Sequence, residues 1–508
     1  MSYKNLLTLP LLLLLANTIN AATGTWKSTT LTKNITYTTT EATTPAKDFS
    51  GKLMTIVYLE NLACEKIGQN SNADDVAWLL AQGYRVIELD YARDAKATTP
   101  YINSDIIAIN AALNKGTFCG CSNISTDRAY ILFEGYRLQR DVSYYKDDPT
   151  VYNYPDAYAK TEGDSLFMDI AYPANPSRAV PTVLSFSYSN SYAGTASDGY
   201  VKKYQHKRMY LGYTFAMFSD SFLEGCPAAG CAWAIADHPK YCDWGRGNRP
   251  GGTQKEYGAV EVCPDAARKV RSAIRTVRGF GAGVGLGHDV AMYGFSRGST
   301  AASLAIGDAP FDDWLPTDRG RYPDEDATVQ AALLGPGVFD YSKMNTASNE
   351  YKHMTVYATY AAQQGAYTSA DAAWAEQGGA NAVATAKTAP CFLFYNSDDD
   401  ANYDTQARNL MAIFDAKGIT YELLKDYGTG HAVPQKTEEL QRMYTFLNAH
   451  VSAGATAIVT PRLSGSDAAD MASAATPSTT PLFSLTGQRL ASSAHATIVI
   501  ANGRKYIR

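Results

Sequence analysis

Strand-like and helix-like segments alternate along the chain from Gly51 onwards, and this alternation restricts the possible folds more than any other feature. The apolar runs "LMTIVYL" at 53–59 and "YRVIELDY" at 84–91 predict buried strands, and "ADDVAWLLAQG" at 73–83 predicts a helix between them. Strands that alternate with short helices form a mostly parallel sheet, because each helix returns the chain to the start of the next strand. The sequence therefore predicts the α/β class, with helices on both faces of a mostly parallel central sheet.

Shifts in composition divide the 508 residues into segments, since a chain of this length is too long for one small domain. The segment at 452–480 is rich in Ala, Ser, Thr and Pro, which is typical of a flexible linker. The predicted organisation is a signal peptide at 1–22, a β/α extension at 23–118, a main α/β domain at 119–451 with an insertion at 222–263, the linker at 452–480, and a small β-tail at 481–508.

The first 22 residues have the layout of a secretory signal peptide. Lys4 precedes an apolar run at 6–16, and small residues follow at Ala21 and Ala22. The run is shorter than the roughly 18 apolar residues that a membrane span needs, and no other stretch of the sequence reaches that length. We therefore expect a secreted or cell-surface protein that has no membrane span and is a monomer.

Charge and cysteine content restrict the class of partner. The formal net charge is −5 and no basic block is present, so nothing indicates a nucleic-acid partner. Eight cysteines in an exported chain favour disulfides over a metal site, and we predict neither a metal nor a cofactor. Four of the eight lie in a Gly/Pro-rich segment that they are expected to staple, with three possible pairings: Cys226, Cys231, Cys242 and Cys263.

The pentapeptide "GFSRG" at 294–298 is the main candidate for chemistry. It follows the apolar run "DVAMYGF" and precedes a small-residue run, so it lies where a strand turns into a helix. The pattern G-x-S-x-G at such a turn is typical of a nucleophile elbow, in which a strained serine projects its hydroxyl above the sheet and the glycines allow close approach of neighbouring chain. Ser296 is therefore the candidate nucleophile.

A serine nucleophile needs a base and a group that orients the base. Of the histidines that follow Ser296, His431 lies in the Gly-flanked loop "DYGTGHAVP", between a predicted strand and the last predicted helix. Loops at the carboxyl ends of strands are where sheet enzymes place their chemistry. The acid is expected in "FLFYNSDDD", where a short turn aims Asp399 at the imidazole and Asp398 caps the turn. The three adjacent carboxylates lack the spacing of a calcium loop.

With these residues in the order Ser, Asp, His, residues 119–451 resemble the α/β-hydrolases of the dienelactone-hydrolase and esterase–lipase type. The resemblance rests on "GFSRG", "YNSDDDANY" and "GTGH" at expected strand ends. It implies an α/β-hydrolase fold, with Ser296 as the nucleophile, His431 as general base and then acid, and Asp399 as the residue that orients the histidine.

The same resemblance implies an oxyanion hole formed by the backbone N–H of Arg297 and a second N–H from Tyr188 or Ser189. Many relatives have His-Gly-Gly in that second loop, whereas this chain has Ser-Tyr-Ser-Asn at 187–190. An arginine directly after the nucleophile is also similar to the Ser-Arg pair of glucuronoyl esterases, whose arginine faces the oxyanion. The alternative is that Arg297 packs on the helix surface.

Three functions are consistent with these residues. The first is a secreted serine esterase that removes acetyl or feruloyl groups from a polysaccharide or oligosaccharide through an acyl-enzyme. Aromatic residues of the 222–263 insertion would then line the substrate pocket, or else form a small core of the loop: Trp233, Tyr241 and Trp244. The second is a prolyl-oligopeptidase-like serine peptidase, although no propeller-sized repeat is present. The third is a non-catalytic binding protein on a hydrolase scaffold.

The C-terminal segment "PLFSLTGQRL", followed by "TIVIANGRKYIR", contains two strand-like pieces. It is similar to the C-terminal sorting segments of bacterial proteins exported by type IX secretion, which end in a strand and an Asn-Gly-Lys/Arg-Lys hairpin. Residues 502–505, Asn-Gly-Arg-Lys, fit that ending. The alternative is a small β-tail with a structural role only.

Overall fold

Two compact units, residues 1–455 and 456–508, make up the chain. The computed structural model describes residues 21–48, 50–64, 66–94, 96–97, 99–146, 165–186, 191–192, 206–207, 221–226, 229–236, 263–307, 321–340, 343, 387–451, 482–483, 489–490, 498–501 and 504–507. The predicted linker at 452–480 lies outside these residues.

The strands of the first unit, within the described residues, are β1 (Ala22–Lys27), β2 (Asn34–Thr40), β3 (Leu53–Glu60), β4 (Arg85–Asp90), β5 (Ile124–Phe133), β6 (Tyr136–Lys146), β7 (Ser165–Pro173), β8 (Val180–Phe186), β9 (Ser191–Tyr192), β10 (His206–Lys207), β11 (Ala232–Ala236), β12 (Leu286–Gly294), β13 (Ala331–Leu334), β14 (Cys391–Tyr395) and β15 (Tyr421–Lys425). Its helices are α1 (Asn72–Ala81), α2 (Thr99–Leu113), α3 (Ser221–Gly225), α4 (Cys263–Ala282), α5 (Arg297–Ser303), α6 (Ala401–Lys417) and α7 (Thr437–His450). The prediction of the α/β class is confirmed.

The first sheet has five strands in the order β1-β2-β4-β3-β5. Strands β3, β4 and β5 are parallel, while β1 and β2 add antiparallel strands at one edge, so this sheet is mixed. The Thr-rich residues of β1 and β2 show little periodicity in the sequence, and β-branched threonine suits a half-exposed edge. The prediction of mostly parallel pairing therefore fails at this edge.

Strand β5 belongs to the first sheet, where Val57 pairs with Ile131, although the sequence placed residues from 119 onwards in the main domain. The chain changes sheets at Gly135, which has a positive φ of 85° and donates its backbone N–H to the Tyr58 hydroxyl at 2.8 Å. The strands on either side of Gly135 therefore pair in two different sheets, β5 with β3 and β6 with β7.

The second sheet has eight strands in the order β15-β14-β13-β12-β8-β11-β7-β6. The six strands from β15 to β11 are parallel to one another, and β7 runs antiparallel to both of its neighbours. Parallel neighbours place their carboxyl ends at one edge of the sheet. The loops that follow β12, β14 and β15 therefore leave from the same edge, and these loops contain the three candidate catalytic residues.

Alternate residues of β12 belong to two separate apolar cores. Ala291 and Tyr293 pack in the core that contains α7, while Val290 and Met292 pack in the core that contains α4 and α6. This period of two is what a strand buried on both faces requires. Helices therefore cover both faces of the second sheet, as the sequence predicts.

Strand β11 corrects the interpretation of the 222–263 insertion at residues 232–236, while residues 237–262 lie outside the described structure. Trp233 lies in β11, between β7 and β8, and its side chain is fully buried in the core. The run "CAWAIA" is too short and too close to Gly/Pro-rich sequence to stand out as a central strand. Trp233 is therefore a core residue of the sheet and does not line a substrate pocket.

The expected staple is not formed by the cysteines that the structure describes in this region. Cys226 and Cys231 are both buried in the core, and no disulfide joins them. Burial raises the pKa of the Cys231 thiol to about 12. The two residues pack as small apolar side chains, while Cys242 and the side chain of Cys263 lie outside the described residues.

The second unit contains β16 (Leu482–Phe483), β17 (Arg489–Leu490), β18 (Ile498–Ala501) and β19 (Arg504–Ile507) within the described residues. These strands form one antiparallel sheet in the order β17-β16-β18-β19, consistent with a small β-tail. Throughout the described part of the chain, no helix combines the length and apolar character that crossing a membrane requires.

The carboxyl end of β3 contains a glutamate that is expected to make stability depend on pH. Burial and the neighbouring Glu88 carboxylate raise the pKa of Glu60 to about 7, from an ordinary value of 4.5. A raised carboxyl pKa means that the folded state holds the proton more tightly. The contribution of the protonated Glu60 to the free energy of unfolding is therefore complete below pH 4.5 and is lost as the pH rises through about 7.

Glu60→Gln should therefore raise the melting temperature more at pH 8 than at pH 5, because the amide is neutral at both. Glu438→Gln, at an exposed position of α7, is the matched control and should shift the melting temperature by the same amount at both pH values. Equal shifts for Glu60→Gln at pH 5 and pH 8 would contradict the role of this carboxyl.

Candidate active site

Ser296 lies in a strained turn between β12 and α5. Its backbone has φ 55° and ψ −125°, a combination that a residue with a Cβ atom rarely adopts. Serine at the start of a helix usually caps it through its hydroxyl, but this side chain makes no capping hydrogen bond. The fold thus holds Ser296 in an unfavourable backbone conformation without using its hydroxyl to cap the helix.

Close packing around the turn explains the first glycine of the motif. A Cβ atom on Gly294 would lie 2.4 Å from the Cα atom of Ser299, so only glycine fits. The turn is then fastened to the loop after β13, since the Ser299 hydroxyl donates to the Gly335 carbonyl at 2.8 Å and the Thr300 hydroxyl accepts from the Val338 N–H at 2.9 Å. These contacts hold the backbone conformation of Ser296.

The structure brings together the predicted base and acid. His431 Nδ1 lies 2.7 Å from Asp399 Oδ2. The Asp399 side chain is only 7% exposed, while that of His431 is 24% exposed, so the pair is shielded but the imidazole remains accessible. An ionised carboxylate can only accept a hydrogen bond, so Nδ1 carries the proton and Nε2 is left as the basic nitrogen.

The three adjacent aspartates have three different roles. Asp398 accepts the Gly430 N–H at 2.9 Å, and Asp400 caps α6 by accepting the Asn402 N–H at 2.8 Å. Only Asp399 bonds to the imidazole, as the sequence predicts. Asp398 accepts a backbone N–H of the histidine loop, whereas the sequence predicts that it caps its own local turn.

Asn396, which sequence reasoning missed, connects the two loops. It follows the last residue of β14 and is 1% exposed. Its side-chain amide donates to the Gly430 carbonyl at 2.9 Å, and its side-chain oxygen accepts the Gly428 N–H at 2.9 Å. The sequence signal that could have revealed Asn396 is its position as a polar residue directly after the apolar run "CFLFY", at the end of a central strand.

Two aromatic rings contact the His431 imidazole. Phe295 lies 4.7 Å away between ring centroids with the planes tilted by 46°, and Tyr403 stacks at 5.2 Å with an angle of 21°. Because Phe295 directly precedes Ser296, the first contact joins the serine turn to the histidine loop. The sequence does not predict either ring contact.

Helix α2 of the N-terminal extension contacts the segment that follows His431. Asn103 of α2 donates from its side-chain amide to the Gln435 carbonyl, and α2 packs against α3 and α7. Val433 is buried in the same apolar core as Ile102 and Ile106 of α2. The N-terminal extension therefore supports the segment that follows the histidine.

The remaining predicted residues are only partly within the described structure. The backbone of Arg297 begins α5, whereas its side chain is not described. Tyr188 and Ser189 lie outside the described residues, just beyond β8, which is the neighbour of β12. Tyr241 and Trp244 also lie outside them. Where the structure is described, no group of three or more His, Cys, Asp or Glu side chains is arranged to hold a metal ion.

The chain matches no protein-family model and no curated protein. Among solved structures it is similar to a truncated carbohydrate esterase from gut microbiota, at 15% identity and a TM-score of 0.39, over 62% of this chain and 95% of that chain. It is also similar to esterase B from Lactobacillus rhamnosis, at 16% identity and a TM-score of 0.40, over 68% of this chain and 91% of that one.

A third similar structure is an acetyl ester-xyloside bifunctional hydrolase from Caldicellulosiruptor lactoaceticus, at 14% identity and a TM-score of 0.36, over 61% of this chain and 97% of that chain. All three TM-scores lie below 0.5, so these similarities carry no weight in assigning the site. Its chemistry follows from the residues themselves.

Gly294→Ala should destabilise the protein by about 1–3 kcal/mol or more, because the added methyl group collides with backbone atoms of α5 that cannot move aside cheaply. Gly287→Ala on the same strand is the matched control, since its Cβ would have no neighbour closer than 3.4 Å and should change stability by less than about 0.5 kcal/mol. Urea denaturation measures both free energies of unfolding, and similar values for the two variants would contradict the packing argument.

Proposed function

We propose that this protein is a serine esterase of the α/β-hydrolase fold that acts on ester groups of carbohydrates. The observation that carries the proposal is the 2.7 Å bond between His431 and Asp399, in loops that leave the same sheet edge as the strained Ser296 turn. The chain order Ser, Asp, His and the strand–serine–helix turn are both features of α/β-hydrolases.

In the proposed reaction, the Ser296 hydroxyl attacks the ester carbonyl while His431 Nε2 takes its proton. Asp399 keeps the other ring nitrogen protonated and stabilises the imidazolium that forms. The backbone N–H of Arg297 is the proposed donor to the oxyanion. His431 then gives the proton to the departing sugar oxygen, which leaves an acyl group on Ser296.

Water completes the cycle in the second half of the reaction. His431 removes a proton from the water as it attacks the acyl carbonyl, and the same proton returns to the Ser296 oxygen when the acyl bond breaks. The products are the free carboxylic acid and the deacylated sugar, and the enzyme is restored. No cofactor or metal takes part in the proposed steps.

The choice of a carbohydrate ester rests on the sequence outside the triad. The signal-peptide layout of residues 1–22 supports export, and the resemblance of residues 481–508 to sorting segments supports a secreted or cell-surface location. The chain contains 35 tyrosines, whose rings suit stacking on sugars. We propose acetyl or feruloyl esters as the substrate class.

Ser296→Ala should remove ester hydrolysis, lowering turnover by about 10,000-fold or more, because the acyl-enzyme cannot form. Initial rates on acetylated and feruloylated oligosaccharides and on a prolyl anilide measure both the loss and the substrate class. Ser303→Ala, a buried serine at the end of α5, is the matched control and should hydrolyse at the wild-type rate. Equal rates for wild type and Ser296→Ala would overturn the proposal.

A second comparison uses the turnover of Asp399→Asn and of its neighbour Asp398→Asn. The Asp399→Asn amide would force the proton onto His431 Nε2, so turnover should fall by about 1,000-fold or more. Asp398→Asn keeps an oxygen that accepts the Gly430 N–H, so its turnover should stay within about threefold of wild type. A loss for Asp398→Asn as large as for Asp399→Asn would contradict the assignment of the acid.

A further inference from the structure

The His431 imidazole is held by three groups, of which only one belongs to the triad. Asp399 bonds to the Nδ1 edge at 2.7 Å, the tilted Phe295 ring lies 4.7 Å from the imidazole between centroids, and the Tyr403 ring stacks on it at 5.2 Å. The edge that contains Nε2 is not engaged by any of these three contacts. These contacts therefore restrict the imidazole without involving the nitrogen that takes the proton in the proposed reaction.

A hydrogen bond alone does not fix the plane of an imidazole. The torsion that rotates the histidine ring has broad minima, so intrinsic preference leaves the plane poorly defined. The Asp399 bond fixes the position of one nitrogen but permits the ring to rock about the line that joins the two atoms. Two aromatic rings packed against the imidazole restrict that freedom, because rocking would drive the imidazole into a neighbouring ring.

Tyr403 and Asp399 come from one rigid piece of backbone. Asp399 precedes α6, Asp400 caps the helix, and the Tyr403 N–H donates to the Asp400 carbonyl at 2.9 Å. The first turn of α6 therefore sets both the ring that stacks on the imidazole and the carboxylate that binds its edge. The spacing Asp-x-x-x-Tyr places one contact in the ring plane and the other on its face.

The Tyr403 ring, which stacks on the imidazole, also bears on the charge that forms in the proposed reaction. The face of an aromatic ring carries the negative end of its quadrupole, so a positive imidazolium is attracted to it more than a neutral imidazole is. The imidazolium forms only as Ser296 loses its proton, so this attraction strengthens in the transition state.

We propose that Tyr403 is a positioning residue for the general base, acting with Phe295 as an aromatic clamp on His431. This inference rests on the proposed esterase function. The clamp keeps Nε2 aimed at the serine turn, so its loss should lower kcat and leave KM nearly unchanged, since substrate binding does not depend on the plane of the imidazole. A misplacement of about 1 Å in a catalytic group can cost about 100-fold in rate.

The test compares Tyr403→Leu with Tyr403→Phe, because leucine keeps an apolar side chain but loses the ring, whereas phenylalanine keeps the ring. We expect Tyr403→Leu to lower kcat at least about tenfold with KM within about twofold of wild type, and Tyr403→Phe to restore at least half of the wild-type kcat. Phe295→Leu, which removes the second ring against the imidazole, should also lower kcat without raising KM.

Tyr421→Leu is the matched control, since this half-buried tyrosine of β15 packs on Phe414 and not on His431. It should hydrolyse at the wild-type rate. The melting temperature of each variant shows whether it folds. If either Tyr403→Leu or Phe295→Leu fails to fold, the other variant tests the clamp. Reaction with a fluorophosphonate should slow in parallel with kcat.

The outcomes separate this inference from the function on which it rests. An inactive wild type, or a Ser296→Ala variant as active as wild type, overturns the esterase proposal. If wild type hydrolyses esters and Ser296→Ala does not, a wild-type kcat for both Tyr403→Leu and Phe295→Leu overturns the clamp alone. A rise in KM at constant kcat would also overturn it, because the ring would then contact substrate. Equal losses in Tyr403→Leu and Tyr403→Phe would assign the effect to the hydroxyl.

Discussion

The hydrogen bond between His431 Nδ1 and Asp399 Oδ2 is the contact on which the proposed chemistry depends. At 2.7 Å, and with the carboxylate 7% exposed, it is a shielded bond between a ring nitrogen and a carboxylate that can only accept. It fixes which nitrogen carries the proton and leaves the other basic. Without it, neither the orientation of the imidazole nor the identity of its basic nitrogen would be defined.

Contacts of the surrounding fold hold the loops after β14 and β15 in fixed positions relative to each other. Parallel strands bring the loops after β14 and β15 to one edge, and polar contacts between the two loops fix their conformations. Asn396 binds backbone groups on both sides of Thr429, and Asp398 adds a third bond to the same segment. Asn103 of α2 donates to the Gln435 carbonyl, so the N-terminal extension also supports the histidine loop.

The sequence predicts those features that are local or that follow from chain order. Gly294 and Ser296 are recognisable because one tight turn requires both, and His431 and Asp399 follow once the order of strands is known. The membership of β5 in the first sheet is not predictable in this way, because strand pairing is decided by partners about seventy residues away. The burial of Trp233 depends on β7 and β8, and the contacts of Tyr403 and Phe295 with His431 exist only when three separate loops meet.

The most direct test of the central claim is to map the site of reaction with a fluorophosphonate, which labels a serine whose proton can be removed by a positioned base. The native protein is labelled, digested and analysed by peptide mass spectrometry, with heat-denatured protein treated in parallel. The account predicts one adduct, on Ser296, that forms only in the native protein. An adduct on another residue, or no adduct on native protein that remains folded, would contradict the claim that Ser296, His431 and Asp399 act together.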